Sequence, residues 1–110
     1  MTNTRPIERP DIDFDLEITK TNRKAAGAGT WVCGRVNGHR FDALVFPEHA
    51  LNPEWEIGTS RISKLWIQRL TDERTVFNWD RGPDVPSDDA TTAAIVAFLA
   101  DGLADVIYPE

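Results

Sequence analysis

The sequence predicts an α+β domain, an antiparallel meander of four to five strands with one C-terminal helix packed on a face. Three observations carry this. Runs alternating apolar and polar residues recur between Asp11 and Trp79, which is the period of a half-buried strand. The dipeptide Asn37-Gly38 lies between two such runs and favours a two-residue type I′ hairpin turn, whose central residues both need positive φ. One stretch of helical period then follows a proline-flanked boundary at Pro86.

Residues 1–10 are polar, carry Pro6 and Pro10 and show no periodicity, so they read as a flexible arm ahead of a single domain over 11–110. Asp11 to Ile18 alternates strictly, with Ile12, Phe14, Leu16 and Ile18 on one face and acids on the other, as in a half-buried strand. The Gly/Ala-rich stretch from Lys20 to Gly29 reads as a connection. Around Asn37-Gly38 a two-residue loop fixes the register, so Val36 faces His39, Arg35 faces Arg40, Gly34 faces Phe41 and Cys33 faces Asp42. Two opposed arginines need an anion nearby, and Asp13, Asp15 and Glu17 of the first strand are placed to supply one.

Pro47 to Ser60 reads as a long loop with room for one helical turn, folded back by Trp55 and Ile57. Ile62–Leu70 and Arg74–Trp79 form a second hairpin around Thr71-Asp72-Glu73. Simple alternation puts Ile62, Lys64, Trp66 and Gln68 on one face and Ser63, Leu65 and Ile67 on the other. Arg81 to Pro86 ends the sheet. Ser87 or Asp88 caps a helix running to about Asp105, with Asp89 in its first turn. Ile95, Phe98, Leu99, Leu103 and Val106 give that helix one apolar stripe. Gly102 is its weak point, costing about 1 kcal/mol against Ala, so the helix either runs through it or ends there and leaves Leu103 to Tyr108 as a short extended tail.

A chain of 110 residues with 41% hydrophobic and 27% charged content can form one core without staples. Cys33 is the only cysteine, so no internal disulfide is available, and the longest apolar run, Ala93–Ala100, is shorter than a membrane span requires. A cytoplasmic setting is the expectation. Net charge is −6, and it is one-sided. Residues 83–110 hold Asp84, Asp88, Asp89, Asp101, Asp105 and Glu110 and no Lys or Arg, while the remainder is balanced. This distribution argues against general affinity for nucleic acid, which needs cations set against phosphates, and suits a basic partner.

No catalytic constellation emerges. Asp11, Asp13 and Asp15 have the opening spacing of a calcium loop, but Leu16 and Asn22 stand where that loop needs Gly and Glu. Cys33, His39, Asp42 and His49 are the only candidates for nucleophile and base, and the turn register projects His39 away from Cys33. Asp42 beside Cys33 raises the thiol pKa and disfavours the thiolate. The four tryptophans, Trp31, Trp55, Trp66 and Trp79, alternate with aliphatics and read mainly as core, with Trp55 the first choice for a partner surface. Asp101 and Asp105 sit four apart near a helix C-terminus, where both mutual repulsion and the dipole disfavour them. Either a strand arginine such as Arg69 or Arg74 neutralises them, or with Asp88, Asp89 and Glu110 they form an anionic ridge.

The motifs Trp31-x-x-Gly34-x-Val-Asn-Gly38, Phe41-x-Ala43-x-Val-Phe46, Gly58-x-x-Arg-Ile-Ser-Lys-Leu-Trp-Ile67 and Asn78-Trp-Asp-Arg-Gly82 resemble a family of small proteins met in phages and other mobile elements of bacteria. The similarity runs from about Trp31 to Val106. It implies a small antiparallel sheet with a C-terminal helix and no established activity, and it carries over no catalytic residue.

The expected function is a non-enzymatic protein-binding module without cofactor or metal. Its surface comprises Asp88, Asp89, Asp101, Asp105, Glu110 and Trp55, directed at a basic, nucleic-acid-handling host protein, as in an anti-CRISPR inhibitor. One alternative is a ligand-binding or hydrolytic cleft near His39, His49 and Asp42. Another is weak nucleic-acid binding through Lys20, Arg23, Lys24, Arg35 and Arg40.

Overall fold

A computed structural model describes residues 15–23, 28–87 and 89–108. The expected arm, residues 11–14 of the expected first strand, Lys24, Asp88 and Glu110 lie outside the described residues.

Among the described residues, six strands form one antiparallel sheet in sequential order, β1 (Glu17–Arg23), β2 (Thr30–Val36), β3 (His39–Val45), β4 (Ile62–Arg69), β5 (Arg74–Asp80) and β6 (Pro83–Val85). A helix, α1 (Ala90–Ile107), covers one face. The α+β meander is as expected, with slightly more strands than the four or five anticipated. The extra one, β6, is a three-residue edge strand starting on Pro83, a residue that sheets tolerate at edges because its missing N–H would point outward.

The β2–β3 hairpin follows the register read from the turn, pairing Val36 with His39, Arg35 with Arg40, Gly34 with Phe41 and Cys33 with Asp42. Asn37 and Gly38 take φ 48° and 72°. Two other expectations fail at β-bulges, which insert one extra residue and reverse the in-out parity. In β1 the extra residue is Thr19, between the pairs Ile18–Gly34 and Lys20–Cys33, and pairing continues to Arg23 opposite Thr30. Lys20 to Arg23 are therefore strand and not connection, a polar run that an edge strand accommodates because its residues are largely solvated. In β4 the register steps between Leu44–Lys64 and Val45–Ile62, skipping Ser63. Ile62 thus joins Leu65 and Ile67 in the core, all at most 1% exposed, instead of sharing a face with Lys64, Trp66 and Gln68.

The core lies between the sheet and α1, where Val32, Val36, Phe41, Ala43, Val45, Ile62, Leu65 and Ile67 meet Ile95, Leu99 and Leu103. Asp89, and not Ser87, is the N-cap: its carboxylate accepts the Thr92 N–H at 2.7 Å. Gly102 lies within the helix, which continues to Ile107. Of the expected stripe, Val106 is 55% exposed because the helix turns it away from the sheet. The helix is fixed at both ends. Near its start Arg69 lies 3.9 Å from Asp89; at its end the hydroxyls of Tyr108 and Thr30 are 2.6 Å apart, and Arg23 stacks 4.7 Å above the Tyr108 ring. By length and composition α1 could cross a membrane, yet Ile95, Leu99 and Leu103 pack on the sheet.

Candidate functional site

Three features outside the core could meet a ligand or partner. The first is the outer ridge of α1. Helical spacing of four puts Ala93, Ala97, Asp101 and Asp105 in one exposed row, and the helix contains no Lys or Arg. Asp105 accepts a hydrogen bond from the Arg61 guanidinium at 2.8 Å but stays 76% exposed. Asp101 is exposed and, among the described residues, has no ion-pair partner. Asp89 belongs to the fold. The Thr92 N–H holds its carboxyl below the usual carboxylate range, outweighing partial burial, with the Thr92 hydroxyl and Arg69 adding to the effect. Neutralisation of the late acids is thus partial, and it comes to Asp105 from Arg61 just before β4. Arg69 is engaged by Asp72, with hydrogen bonds of 2.9 and 3.1 Å.

The second feature is the sheet face opposite α1. Register alone puts Trp31, Cys33, Arg35, Arg40, Asp42, Leu44, Lys64, Trp66 and Asn78 on it. None of the four tryptophans is fully buried: Trp31, Trp66 and Trp79 are half-buried and Trp55 is 40% exposed. The reading of tryptophans mainly as core therefore fails at Trp31 and Trp66, which sit on the face away from the helix. Of the opposed arginines, Arg35 stands opposite Glu17 in the β1 register, while Arg40 stacks 5.3 Å above the Trp66 ring. Cys33 lies half-buried in this face; burial first, then the hydrogen bond and charge of Asp42, push its thiol pKa up, against the opposing pull of Lys20 and Arg40.

The third feature is a cavity of about 690 Å³ beside the β3–β4 connection, walled by Leu44, Phe46, Ala50, Leu51 and Trp55 with Lys64 and Arg81 at one side. Its floor is organised by Glu56, which is only 4% exposed. The Glu56 carboxylate accepts the backbone N–H groups of Ala50 at 2.9 Å and Arg61 at 2.5 Å, and faces His49 Nδ1 at 3.1 Å. Burial pushes this carboxyl up, but the hydrogen bonds from His49, Ala50 and Arg61 together overcome it and leave the pKa lowered. The 3-10 turn Pro53–Trp55 carries Trp55 to the cavity edge, and the Trp79 indole N–H donates to the Trp55 carbonyl at 3.5 Å.

His39, His49 and Asp42 do not converge. His39 opens β3 on the core face and bonds the Asn37 carbonyl at 2.7 Å, Asp42 lies on the opposite face, and His49 lies beyond the other end of β3 against Glu56. Seven residues of strand separate the two histidine ends, about 20 Å at the usual rise. Among the described residues no group of three His, Cys, Asp or Glu is placed to hold a metal ion. Of the cations weighed for nucleic acid, Lys20, Arg35 and Arg40 share the open face, whereas Arg23 sits at the helix end. Glu56 escaped sequence reasoning, since an acid between prolines and glycine resembles any solvated loop residue. Its backbone donors, Ala50 before it and Arg61 after it, give no periodic signal.

No curated protein and no solved structure matches the chain. A family model described as a domain of unknown function, DUF7678, matches residues 30–104, which takes in β2 to β6 and nearly all of α1. The chain belongs to the DUF7678 family of domains of unknown function.

Proposed function

We propose that the protein is a small non-enzymatic protein-binding module that meets a basic partner through the outer ridge of α1. The observation carrying this reading is the exposed row Ala93, Ala97, Asp101 and Asp105 on a helix without a single cation. Two alanines let a partner approach the helix closely, and two carboxylates supply charge that steers association and fixes orientation. The resemblance to proteins of phages and mobile elements supports a finer reading, in which the partner is a nucleic-acid-handling host protein in the cytoplasm and the module inhibits a defence complex such as a CRISPR effector. Trp55, 40% exposed, is a secondary contact of this reading.

The functional test is interference. In a host with an active CRISPR system, expression of the wild-type protein should restore transformation by a targeted plasmid, and Asp101→Lys should abolish the rescue. No rescue across representative effector types sinks the inhibitor reading; rescue unchanged in Asp101→Lys sinks the role of the ridge.

A second reading, single-stranded nucleic acid on the open sheet face, is favoured by the juxtaposition of Lys20, Arg35 and Arg40 with Trp31 and Trp66, since bases stack on such aromatics. Glu17, Asp42 and Asp80 interrupt the cationic field there. Fluorescence anisotropy with a labelled oligothymidine at low salt separates the two readings. Saturable binding lost in Arg40→Ala supports the second, and a flat titration removes it.

A further inference from the structure

We infer that the cavity between the β3–β4 connection and the ends of β4 and β5 is a binding site for a small amphipathic organic anion, an apolar acyl or aryl body carrying one carboxylate. This site does not depend on the α1 ridge as a recognition surface, although Trp55 and the Arg61–Asp105 pair adjoin both. Its volume, about 690 Å³, is in the range of pockets that enclose small molecules, about 300–1,000 Å³. Its wall is apolar where Leu44, Phe46, Leu51 and Trp55 line it. Leu51 at 96% and Trp55 at 40% exposure are large hydrophobic side chains that the fold leaves in contact with water, and a bound apolar body would cover them.

Charge at the mouth selects the head group. Lys64 Nζ and Arg81 Nε approach the same Asp80 oxygen, at 3.7 and 4.0 Å, so one carboxylate serves two cations at the outer limit of ion pairing. Both cations remain at least a third exposed. The other charges of the wall do not cancel them. Glu56 is occupied by His49 and two backbone N–H groups, and Arg61 by Asp105 and the Pro47 carbonyl. Asp80 itself and Glu48, exposed in the lining, oppose an anion, but a single shared carboxylate at these distances leaves donors of both cations open. A carboxylate entering beside Lys64 and Arg81 gains charge-assisted hydrogen bonds that an alcohol cannot match.

Backbone geometry holds Arg81 in place. It takes φ 57°, and its N–H donates to the Ser63 carbonyl at 2.9 Å. This links the β5–β6 turn to the β4 bulge, so the two cations project from positions fixed relative to each other.

The test uses the full chain with octanoate, octanol and octylammonium, by calorimetry and by amide chemical-shift mapping. Octanoate should bind saturably and shift Leu44, Leu51, Trp55 and Ser63, and octanol and octylammonium should bind at least about tenfold more weakly, the factor expected for one charge-assisted contact. Lys64→Gln/Arg81→Gln should lose about the same factor for octanoate and leave octanol unchanged. Trp55→Ser should weaken both. Both cationic side chains are solvated, so the double variant should retain the wild-type amide spectrum; the single variants give the same comparison if it does not. Equal affinity for octanoate and octanol, octanoate affinity unchanged in the cation variants, or no saturation up to about 10 mM each overturns the inference. So does binding of a short peptide ending in leucine with a free carboxylate when octanoate fails to bind, because the site would then read a chain end.

Discussion

Replacing Glu56 by alanine should destabilise the protein far more than an acid in a proline-bearing loop would suggest. Glu56 is 4% exposed and its carboxylate satisfies the N–H groups of Ala50 and Arg61 while facing His49. Leaving a buried donor unpaired costs about 1–3 kcal/mol. Two donors, both near enough to the surface for some water to reach them, give about 2–3 kcal/mol, a large fraction of the ~5–15 kcal/mol that holds a domain together. Urea unfolding measures it, with the midpoint falling and the slope unchanged. The pH dependence follows in sign. Because the folded carboxyl titrates below its ordinary value of about 4.5, the unfolded chain binds more protons in that range, and stability rises with pH there. The contribution of Glu56 is complete above about 4.5 and is lost as pH falls through the folded value. Glu56→Ala should therefore show a shallower acid limb than wild type, though not a flat one, since Asp72 and Asp89 are lowered as well. A loss below about 0.5 kcal/mol, the size of an ordinary surface substitution, or an acid limb identical to wild type would refute the reasoning.

Other substitutions probe the frame. Gly102→Ala should stabilise by about 0.5–1 kcal/mol, because a Cβ there meets nothing within 4 Å and the helix loses an entropic weak point; a lower melting temperature would contradict this. Gly34→Ala should cost about 1–3 kcal/mol, as expected of overpacking, since its Cβ would lie 2.5 Å from the Glu17 carbonyl and 2.9 Å from the Phe41 ring; an unchanged urea midpoint would show that β1 moves freely away. Cys33 should react with a thiol reagent at pH 8 more slowly than a free cysteine, and Asp42→Asn should speed it. Equal rates in both proteins would remove Asp42 as a cause of the raised pKa.

Legibility in the sequence followed the length scale of the signal. Asn37-Gly38 specified a turn type, the turn specified a register, and four residue pairs followed from it without knowledge of the rest. The helix was equally readable from its period; its cap was misplaced by one or two residues, among several competent capping residues between Ser87 and Asp89, and Val106 does not share the buried stripe. Bulges were not readable. Thr19 and Ser63 each insert a residue because of how a neighbouring strand pairs, and alternation in one strand carries no record of its neighbour. That single-residue step moved Ile62 into the core. For Trp31 and Trp66 the sequence showed alternation with aliphatics but not that α1 covers only one face. The Glu56 floor was hidden for a different reason, because its donors are backbone groups and leave no side-chain signature.

Whether the α1 ridge touches another protein is measured directly by a photo-crosslinking residue at Ala97 in bacterial cells. Position 97 should yield one discrete adduct with a basic protein. The same residue at Thr75, on β5 away from the helix, should yield none, and adding Asp101→Lys should remove the Ala97 adduct. An Ala97 position that forms no adduct, or an adduct indifferent to Asp101→Lys, would contradict the claim that this ridge is the recognition surface.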